Sequence, residues 1–207
     1  HQWVDRFGTG LPNFSTNGAG LQLYILSLLE NYSENKTIPN FLLVFSLYYL
    51  PALGMYLALS ELKIKPSLTF TISIFYVVNP FTMSWMSMLN QWNNFAAAAM
   101  PFLFWIIIKN YKNNLRLFFF YGLLSSVFSQ AYTNIPLNVV VNLSAIISIL
   151  FASYHYYRNF QLKHLVEKIL LINLSFMLFN AWWLMPLSYF VGDAQRIYSE
   201  SFAEEWL

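Results

Sequence analysis

Two long runs without charge constrain the fold of this chain more than any other feature. The run from Ser67 to Ile108 has 42 residues without Asp, Glu, Lys, Arg or His, and the run from Leu117 to Tyr154 has 38. A bilayer core about 30 Å thick needs roughly 20 helical residues. Each run is therefore long enough for two spans, and we predict two pairs of transmembrane helices joined by short polar turns.

The composition agrees with a membrane protein. Of the 207 residues, 57% are hydrophobic and 10% are charged, which is more apolar surface than one soluble core of this length can bury. Buried helices of a large soluble protein would be shorter and amphipathic. Transmembrane strands would alternate over about ten residues, and these runs do not. The predicted fold class is therefore an all-α, polytopic integral membrane protein.

Polar turns at "SMLNQWNN" (87–94) and "SQAYTN" (129–134) divide the two runs. With one further apolar segment on each side, the sequence predicts six spans, at about 40–60, 67–86, 93–108, 117–133, 136–156 and 169–190. Residues 1–38 are predicted to form an extracytoplasmic loop with a short interfacial helix, and residues 191–207 to begin another extracytoplasmic segment. No repeat or linker divides the chain, so we treat residues 39–190 as one membrane domain.

The basic residues predict the orientation. Eight of the 11 fall in three loops on one side of the predicted membrane: Lys63, Lys65, Lys109, Lys112, Arg116, Arg158, Lys163 and Lys168. Because basic loops stay inside, that side is predicted to be cytoplasmic. Seven of the nine acids lie on the opposite side. We therefore expect a multi-pass protein of the plasma membrane whose active side is extracytoplasmic.

Several kinds of chemistry are excluded or unsupported. There is no cysteine, so no disulfide or thiolate site exists, and a net charge of +2 does not indicate nucleic acid. His1, His155 and His164 have no metal-ligand spacing, so a zinc site is not supported. We name no cofactor and no metal-binding residue, and a divalent metal ion stays an open alternative. The predicted spans contain no Asp, Glu, Lys or Arg, which argues against an ion-coupled transporter.

Amide and aromatic side chains collect on the outer side. We predict that they bind sugar hydroxyls and C–H faces, because that mixture of groups suits a carbohydrate. An interfacial belt of Trp and Tyr is the alternative explanation. Pro80, Pro136 and Pro186 lie on the same side, where they favour irregular backbone beside a cavity. The predicted substrate-binding residues of the two turns are Asn90, Gln91, Trp92, Asn93, Tyr132 and Asn134.

Outer carboxylates and cations provide candidate chemistry. Asp5 and Arg6 are adjacent in a Gly-rich segment, and Arg196 follows the last span. In an extracytoplasmic transferase, a carboxylate can act as general base on an acceptor hydroxyl while a cation holds a lipid phosphate leaving group. We predict Asp5 as the catalytic residue and Arg6 and Arg196 as substrate-binding residues. The alternative for the adjacent pair is a solvated ion pair.

The last apolar stretch ends in "NAWWLMPLSYF" (180–190), which places an amide next to two tryptophans. Adjacent helical residues point about 100° apart, so Trp182 and Trp183 cannot face the same way. One is predicted to anchor in lipid and the other to line a cavity beside Asn180. All three are predicted substrate-binding residues.

Three segments together resemble a known group of proteins: "WVDRFGTGLPN" (3–13), "NNFAAAAMPFLFWIII" (93–108) and "NAWWLMPLSYF" (180–190). They look like the membrane domain of GT-C glycosyltransferases, most closely the arabinofuranosyltransferase-like group and then the YfhO-like membrane proteins. The resemblance implies transfer of a sugar from a polyprenyl-phosphate donor on the extracytoplasmic face, with an acid in the first outer loop as base. Asp5 fits that position.

The first membrane helix of that family would precede His1, so we expect the chain to be an internal piece of a longer protein that can carry further catalytic groups upstream. The predicted function is a membrane glycosyltransferase whose acceptor is a cell-envelope glycan, lipid or protein. Its expected partners are membrane lipid, the polyprenyl-phosphate sugar and the acceptor, and not nucleic acid. A non-catalytic transporter or flippase for cell-envelope precursors is the main alternative, and an assembly subunit is the third.

Overall fold

The computed structural model of the chain describes residues 37–78, 91–133, 135–158 and 162–185. Every secondary-structure element in these ranges is a helix, which confirms the predicted all-α class. In chain order the helices are α1 (Thr37–Glu61), α2 (Pro66–Val78), α3 (Gln91–Asn110), α4 (Asn114–Val127), the one-turn α5 (Gln130–Thr133), α6 (Ile135–Tyr157) and α7 (Leu162–Phe179), and residues 181–185 are also helical.

Helix α3 is the centre of the described bundle, because it packs against α1, α4, α5 and α6. Its buried face combines small and branched side chains, including Ala98, Ala99, Leu103 and Ile107, each of which is at most 1% exposed. Small residues let neighbouring helices approach closely, as they do in packed membrane helices. Helix α7 packs against α4 and α6, and α2 against α1.

Side-chain contacts show which helix ends lie together. Gly54 and Phe102 lie about two turns before the ends of α1 and α3, and a Cβ added to Gly54 would lie 2.9 Å from the Phe102 ring. Phe104 of α3 and Phe151 of α6 have ring centroids 5.5 Å apart and are likewise at matching heights. Near the helix ends, the hydroxyl of Tyr156 in α6 donates to the carbonyl of Ile108 in α3 at 3.0 Å, and Glu61 at the end of α1 interacts electrostatically with Tyr156. Helices α1, α3 and α6 are therefore parallel and end at the same end of the bundle.

The two ends of the bundle differ in charge. Within the described ranges, every Asp, Glu, Lys and Arg lies at the end of the bundle where α1, α3 and α6 end, which we call the basic end. These charged residues are Glu61, Lys63, Lys65, Lys109, Lys112, Arg116, Arg158, Lys163, Glu167 and Lys168. The opposite end, which we call the amide end, carries neutral polar groups: Tyr132, Asn138, Asn142 and Asn180. The three predicted basic loops thus lie at one end of the bundle.

Much of the outer surface is apolar. Phe75 of α2, Val139 of α6 and Leu170 of α7 are 67%, 62% and 64% exposed, in the company of many other large apolar side chains. Among the described residues, one helical stretch, Asn138–Tyr157, has the length and mean hydropathy (20 residues, 1.6) to cross a membrane. Pro66–Val78 and Ala96–Asn110 are apolar but shorter. The predicted arrangement of six spans stays a prediction.

The loops at the basic end begin with defined helix ends. After α1, Lys63 has φ 57°, and the N–H groups of Lys63 and Ile64 donate to the carbonyls of Ser60 and Leu59. This is a Schellman motif, which satisfies the last carbonyls of a helix. Helix α4 begins with Asn113 as N-cap, whose Oδ1 accepts the N–H of Arg116 at 3.0 Å. Hydrogen bonds within the chain therefore define the end of α1 and the beginning of α4.

A proline inside α3 explains a contact between α2 and α3. Pro101 has no N–H, so the carbonyl of Ala97, four residues earlier, lacks its helical donor. The hydroxyl of Tyr76 in α2 donates to this carbonyl at 2.9 Å. Since Tyr76 is near the end of α2 and Ala97 near the start of α3, the two helices are antiparallel. The carbonyl that lacks its helical donor thus accepts a hydrogen bond that joins α2 to α3.

The predicted span at 117–133 is not one continuous helix. Helix α4 ends at Val127, and residues 128–129 form a turn before α5. Phe128 leaves the helix with its ring buried against Phe102, at a centroid distance of 5.8 Å, so core packing replaces the last helical turn. Pro136 lies in the first turn of α6, where a missing N–H breaks no helical bond. Pro80 and Pro186 lie outside the described residues.

Candidate functional site

The described residues include part of the predicted site. Tyr132, Asn180, Trp182 and Trp183 are described with their side chains, while the backbone of Gln91, Trp92 and Asn93 forms the first turn of α3. The candidate base and several binding residues lie outside the described ranges: Asp5, Arg6, Asn90, Asn134 and Arg196. The predicted N-terminal loop with its interfacial helix and the segment after the last span also lie almost entirely outside them. Those parts of the site stay predictions.

Asn180 is the centre of a buried hydrogen-bond network at the amide end. Its Nδ2 donates to Ser125 Oγ at 2.9 Å and to the carbonyl of Phe176 at 3.0 Å, and its Oδ1 accepts Trp183 Nε1 at 2.9 Å. The side chain is fully buried. Both amide hydrogens and the carbonyl oxygen are thus used within the chain. A sugar hydroxyl could bind Asn180 here only by replacing one of these partners or by adding to the oxygen.

The Asn180 network lies beside a close contact between α4 and α7. A Cβ added to Gly122 would lie 2.6 Å from Ser175 Oγ and would clash with the ring of Phe179. Ser175 Oγ donates to the carbonyl of Phe118, and Ser125 Oγ to the carbonyl of Gly122 at 2.9 Å. Small residues therefore allow the two helices to approach, and their hydroxyls satisfy backbone carbonyls inside the bundle.

The two tryptophans have different environments. Trp183 is 4% exposed and packs edge-on against Phe176, with ring centroids 6.3 Å apart. Trp182 is 46% exposed on the outer surface. Phe176 also contacts Tyr132, at a centroid distance of 4.6 Å, so Tyr132 and Trp183 belong to one cluster with Asn180 and Trp182 does not. The residue beside Asn180 is therefore Trp183, and Trp182 is the one on the outer surface.

A second set of amides ties α5 to α6. Asn138 Nδ2 donates to the carbonyl of Tyr132 at 3.0 Å, and Asn142 Nδ2 donates to the carbonyl of Asn138 at 2.9 Å. Asn142 and Asn138 are also hydrogen-bonded through their side chains. Both amides are partly buried. The described part of the amide end therefore uses these amide donors within the chain, and it holds no carboxylate to act as a base.

With the geometry of this end known, we compared the chain with known proteins. No protein-family model, curated protein or solved structure matches it. The resemblance to GT-C glycosyltransferases therefore stays a prediction from the quoted motifs.

A polar cavity of about 390 Å³ lies at the basic end, between the start of α4 and the start of α7. Its lining residues are Lys112, Asn113, Asn114, Tyr157, His164, Glu167 and Lys168. Asn114 connects the two helices, since its Nδ2 donates to Glu167 Oε1 at 2.7 Å and its Oδ1 accepts the ammonium of Lys168. His164 Nδ1 lies 3.5 Å from Glu167 Oε2. Neither carboxylate oxygen of Glu167 is without a partner.

The cavity alters the pKa of two of its side chains. Hydrogen bonds from Asn114 and His164 lower the pKa of Glu167 below 4.5, because they stabilise the charged form. Burial lowers the pKa of Lys168, which is 6% exposed, because desolvation disfavours the ammonium. The ammonium of Lys168 also lies 5.2 Å from the ring centroid of Tyr111. These are the interactions of an ordered polar site.

The sequence pattern places these residues in or beside the basic loops and predicts no site there. One signal was available: His164, Glu167 and Lys168 are spaced three and four residues apart, so they share one face of a helix. The contact of this face with Asn114, 53 residues away in the chain, could not be read from spacing. In the part of the chain that the structure describes, no group of three or more His, Cys, Asp or Glu residues could hold a metal ion.

Proposed function

We propose that the chain is the membrane part of a glycosyltransferase that takes a sugar from a polyprenyl-phosphate donor on the extracytoplasmic face. In this proposal six helices cross the membrane, the basic end faces the cytoplasm and the amide end faces outward. Asp5 is the base that accepts a proton from the acceptor hydroxyl. Arg6 and Arg196 bind the phosphate leaving group, and the amides and aromatic rings of the outer side bind the sugar.

The observation that carries this proposal is the separation of charge between the two ends. Every charged side chain of the described residues is at the basic end, while the amide end carries the partly buried amides of Asn138 and Asn142 beside the buried Tyr132. This arrangement supports a membrane orientation by the positive-inside rule. It also supports a polar outer surface next to the segments that carry Asp5 and Arg196.

The interior between the ends favours an enzyme over a transporter. Most buried side chains there are apolar, as in the cluster around Leu103, Ile107 and Val141. The hydroxyls of Ser73 and Ser148 donate to carbonyls of their own helices. A transporter needs polar groups or a wet cavity along its whole path. The described interior shows no such continuous polar path, and we therefore propose the enzyme rather than the transporter.

The proposal is tested with the full-length protein in lipid vesicles. Polyprenyl-phosphate-linked arabinose, mannose, glucose and galactose are each supplied with an envelope glycan acceptor, and transfer of labelled sugar is measured. We expect transfer from one of these donors and a loss of about 100-fold or more in Asp5→Asn, because a general base contributes on that order.

The matched control is Glu30→Gln, which removes another acid from the same N-terminal segment and should leave the rate unchanged. Full activity of Asp5→Asn would remove Asp5 from the catalytic machinery. Absence of transfer by the wild-type protein from all four donors, together with movement of an intact donor across the vesicle membrane, would replace the enzyme by the transporter.

A further inference from the structure

We propose that the cavity at the basic end is a binding site for a phosphate group, which is supplied by the headgroup of an acidic phospholipid. The cavity lies between α4 and α7, and its lining includes two lysines and a histidine. The choice of lipid as the source rests on the proposed membrane orientation but not on sugar transfer. Its residues are separate from those proposed for catalysis.

Lys168 is the anchor of the proposed site. A lysine ammonium has three donors, and one of them bonds Asn114 Oδ1 while the charge faces the Tyr111 ring. The side chain is more than nine-tenths buried and still lines the cavity. An ammonium in that position is costly to bury, and the attraction of the neighbouring Glu167 carboxylate offsets only part of that cost, since burial still lowers the pKa of Lys168. A phosphate oxygen in the cavity would accept a remaining donor and would offset the desolvation of the charge.

The other lining groups complete an environment for an anion. Lys112 is exposed, and its ammonium lies 4.7 Å from the ring centroid of Tyr156. The carboxylate of Glu167 lines the same cavity and opposes an anion, because its bonds to Asn114 and His164 do not remove its charge. Two lysines against one carboxylate leave the cavity with a net positive charge.

The surroundings of the cavity suit a membrane surface. Besides Lys112, two further cations at the basic end lie over aromatic rings: Lys109 over Trp105 at 4.7 Å and Arg158 over Tyr154 at 5.9 Å. Lysine and arginine with Trp and Tyr are typical of the interface between hydrocarbon and headgroups. Acidic lipids concentrate on the cytoplasmic side and are attracted by such residues. The cavity is therefore at the level where a lipid phosphate would be found.

The test measures binding of phosphatidylglycerol to the purified full-length protein in detergent by native mass spectrometry, with phosphatidylcholine as the comparison lipid. Lys168→Met and Lys112→Gln each remove one cation from the cavity. Lys65→Gln removes one cation from the same end outside it. We expect each cavity variant to weaken phosphatidylglycerol binding about tenfold, which corresponds to one charged hydrogen bond, and Lys65→Gln to leave it unchanged.

Lys112→Gln keeps the test decisive if Lys168→Met fails to fold, because the Lys112 side chain is exposed. Inorganic phosphate is expected to compete with phosphatidylglycerol, since the two share the recognised group. Binding of inorganic phosphate without preference for phosphatidylglycerol over phosphatidylcholine would overturn the lipid as the source. Equal losses in Lys112→Gln and Lys65→Gln would show a general effect of net charge and would overturn the site.

Discussion

The two ends of the bundle use polar side chains in opposite ways. At the amide end, the side-chain amide of Asn180 is buried and its donors and acceptor bond the chain itself. At the basic end, Asn114 and Lys168 are also bonded to each other, yet they line a cavity of about 390 Å³. The hydrogen bonds of the amide end therefore hold helices together, whereas those of the basic end surround a cavity.

This difference shows that polarity alone does not identify a site. A buried amide with all partners inside the protein stabilises packing, because breaking its bonds costs the desolvation of each group. A buried charge beside a cavity keeps unused hydrogen-bonding capacity, so it can bind a ligand without breaking a contact. Mutations at the amide end should therefore change stability most, and mutations at the basic end should change binding most.

The largest effect on stability is expected at Gly122, where α4 and α7 come closest. Gly122→Val would place side-chain atoms against Phe179 and Ser175, and overpacking of this kind costs about 3 kcal/mol or more. The midpoint of unfolding in detergent micelles measures it. The control Leu123→Val changes a neighbouring side chain that is 42% exposed and should shift the midpoint little. A wild-type midpoint in Gly122→Val would contradict the close contact.

The next effect tests the Asn180 network directly. Asn180→Leu keeps the volume but leaves Trp183 Nε1 without its acceptor, and we expect a loss of about 2 kcal/mol in the free energy of unfolding. Trp183→Phe should lose about 1 kcal/mol for the same bond. Trp182→Phe is the matched control, because Trp182 is on the outer surface. Equal losses of unfolding free energy in Trp183→Phe and Trp182→Phe would contradict the different environments of the two side chains.

A smaller effect is expected at the contact between α2 and α3. Tyr76→Phe leaves the carbonyl of Ala97 without a donor and should cost about 1 kcal/mol. Pro101→Ala supplies a backbone N–H to the same carbonyl, so in that background Tyr76→Phe should cost less. A double-mutant cycle of unfolding free energies measures this coupling. Purely additive losses would show that the hydroxyl does not replace the missing helical bond.

The all-α class and the grouping of basic loops could be predicted because both depend on local patterns. A long run without charged residues can cross the hydrocarbon core of a bilayer, and helices α2 to α6 lie largely within the two charge-free runs. The predicted polar turn at 129–134 lies next to the break at Phe128, but the exact position of the break depends on packing against Phe102, which is distant in the chain. Pro101 likewise stands in one of the quoted motifs, but its effect on Ala97 could not be predicted without the position of Tyr76.

The candidate site was predictable in part for the same reason. The spacing of Trp182 and Trp183 required that they differ, but their assignment depended on contacts with Phe176 and Asn180. The cavity at the basic end joins the 112–114 loop to α7, and no local pattern reports such a contact. Side chains that meet across the fold are therefore the part that the sequence analysis did not find.

The smallest effect concerns the pH response of the basic end. Because the pKa of Glu167 is lower in the folded chain than its ordinary value of 4.5, the ionised carboxylate stabilises the fold at pH values above 4.5. This contribution is lost as the pH falls through the lower pKa that Glu167 has in the folded chain. Asn114→Ala removes the largest cause of that shift, so the pKa of Glu167 should rise towards 4.5. Carboxyl chemical shifts followed from about pH 7 to about pH 3 measure it.

The matched control is Asn173→Ala, which removes an exposed amide of α7 that donates to the carbonyl of its own helix at Ile169. It should leave the pKa of Glu167 unchanged. Because Glu167 is partly exposed, the accompanying change in stability should be small. A Glu167 pKa that is the same in wild type and Asn114→Ala would mean that the bond across α4 and α7 does not form, and the basic end would then lack the order that separates its cavity from a solvated surface.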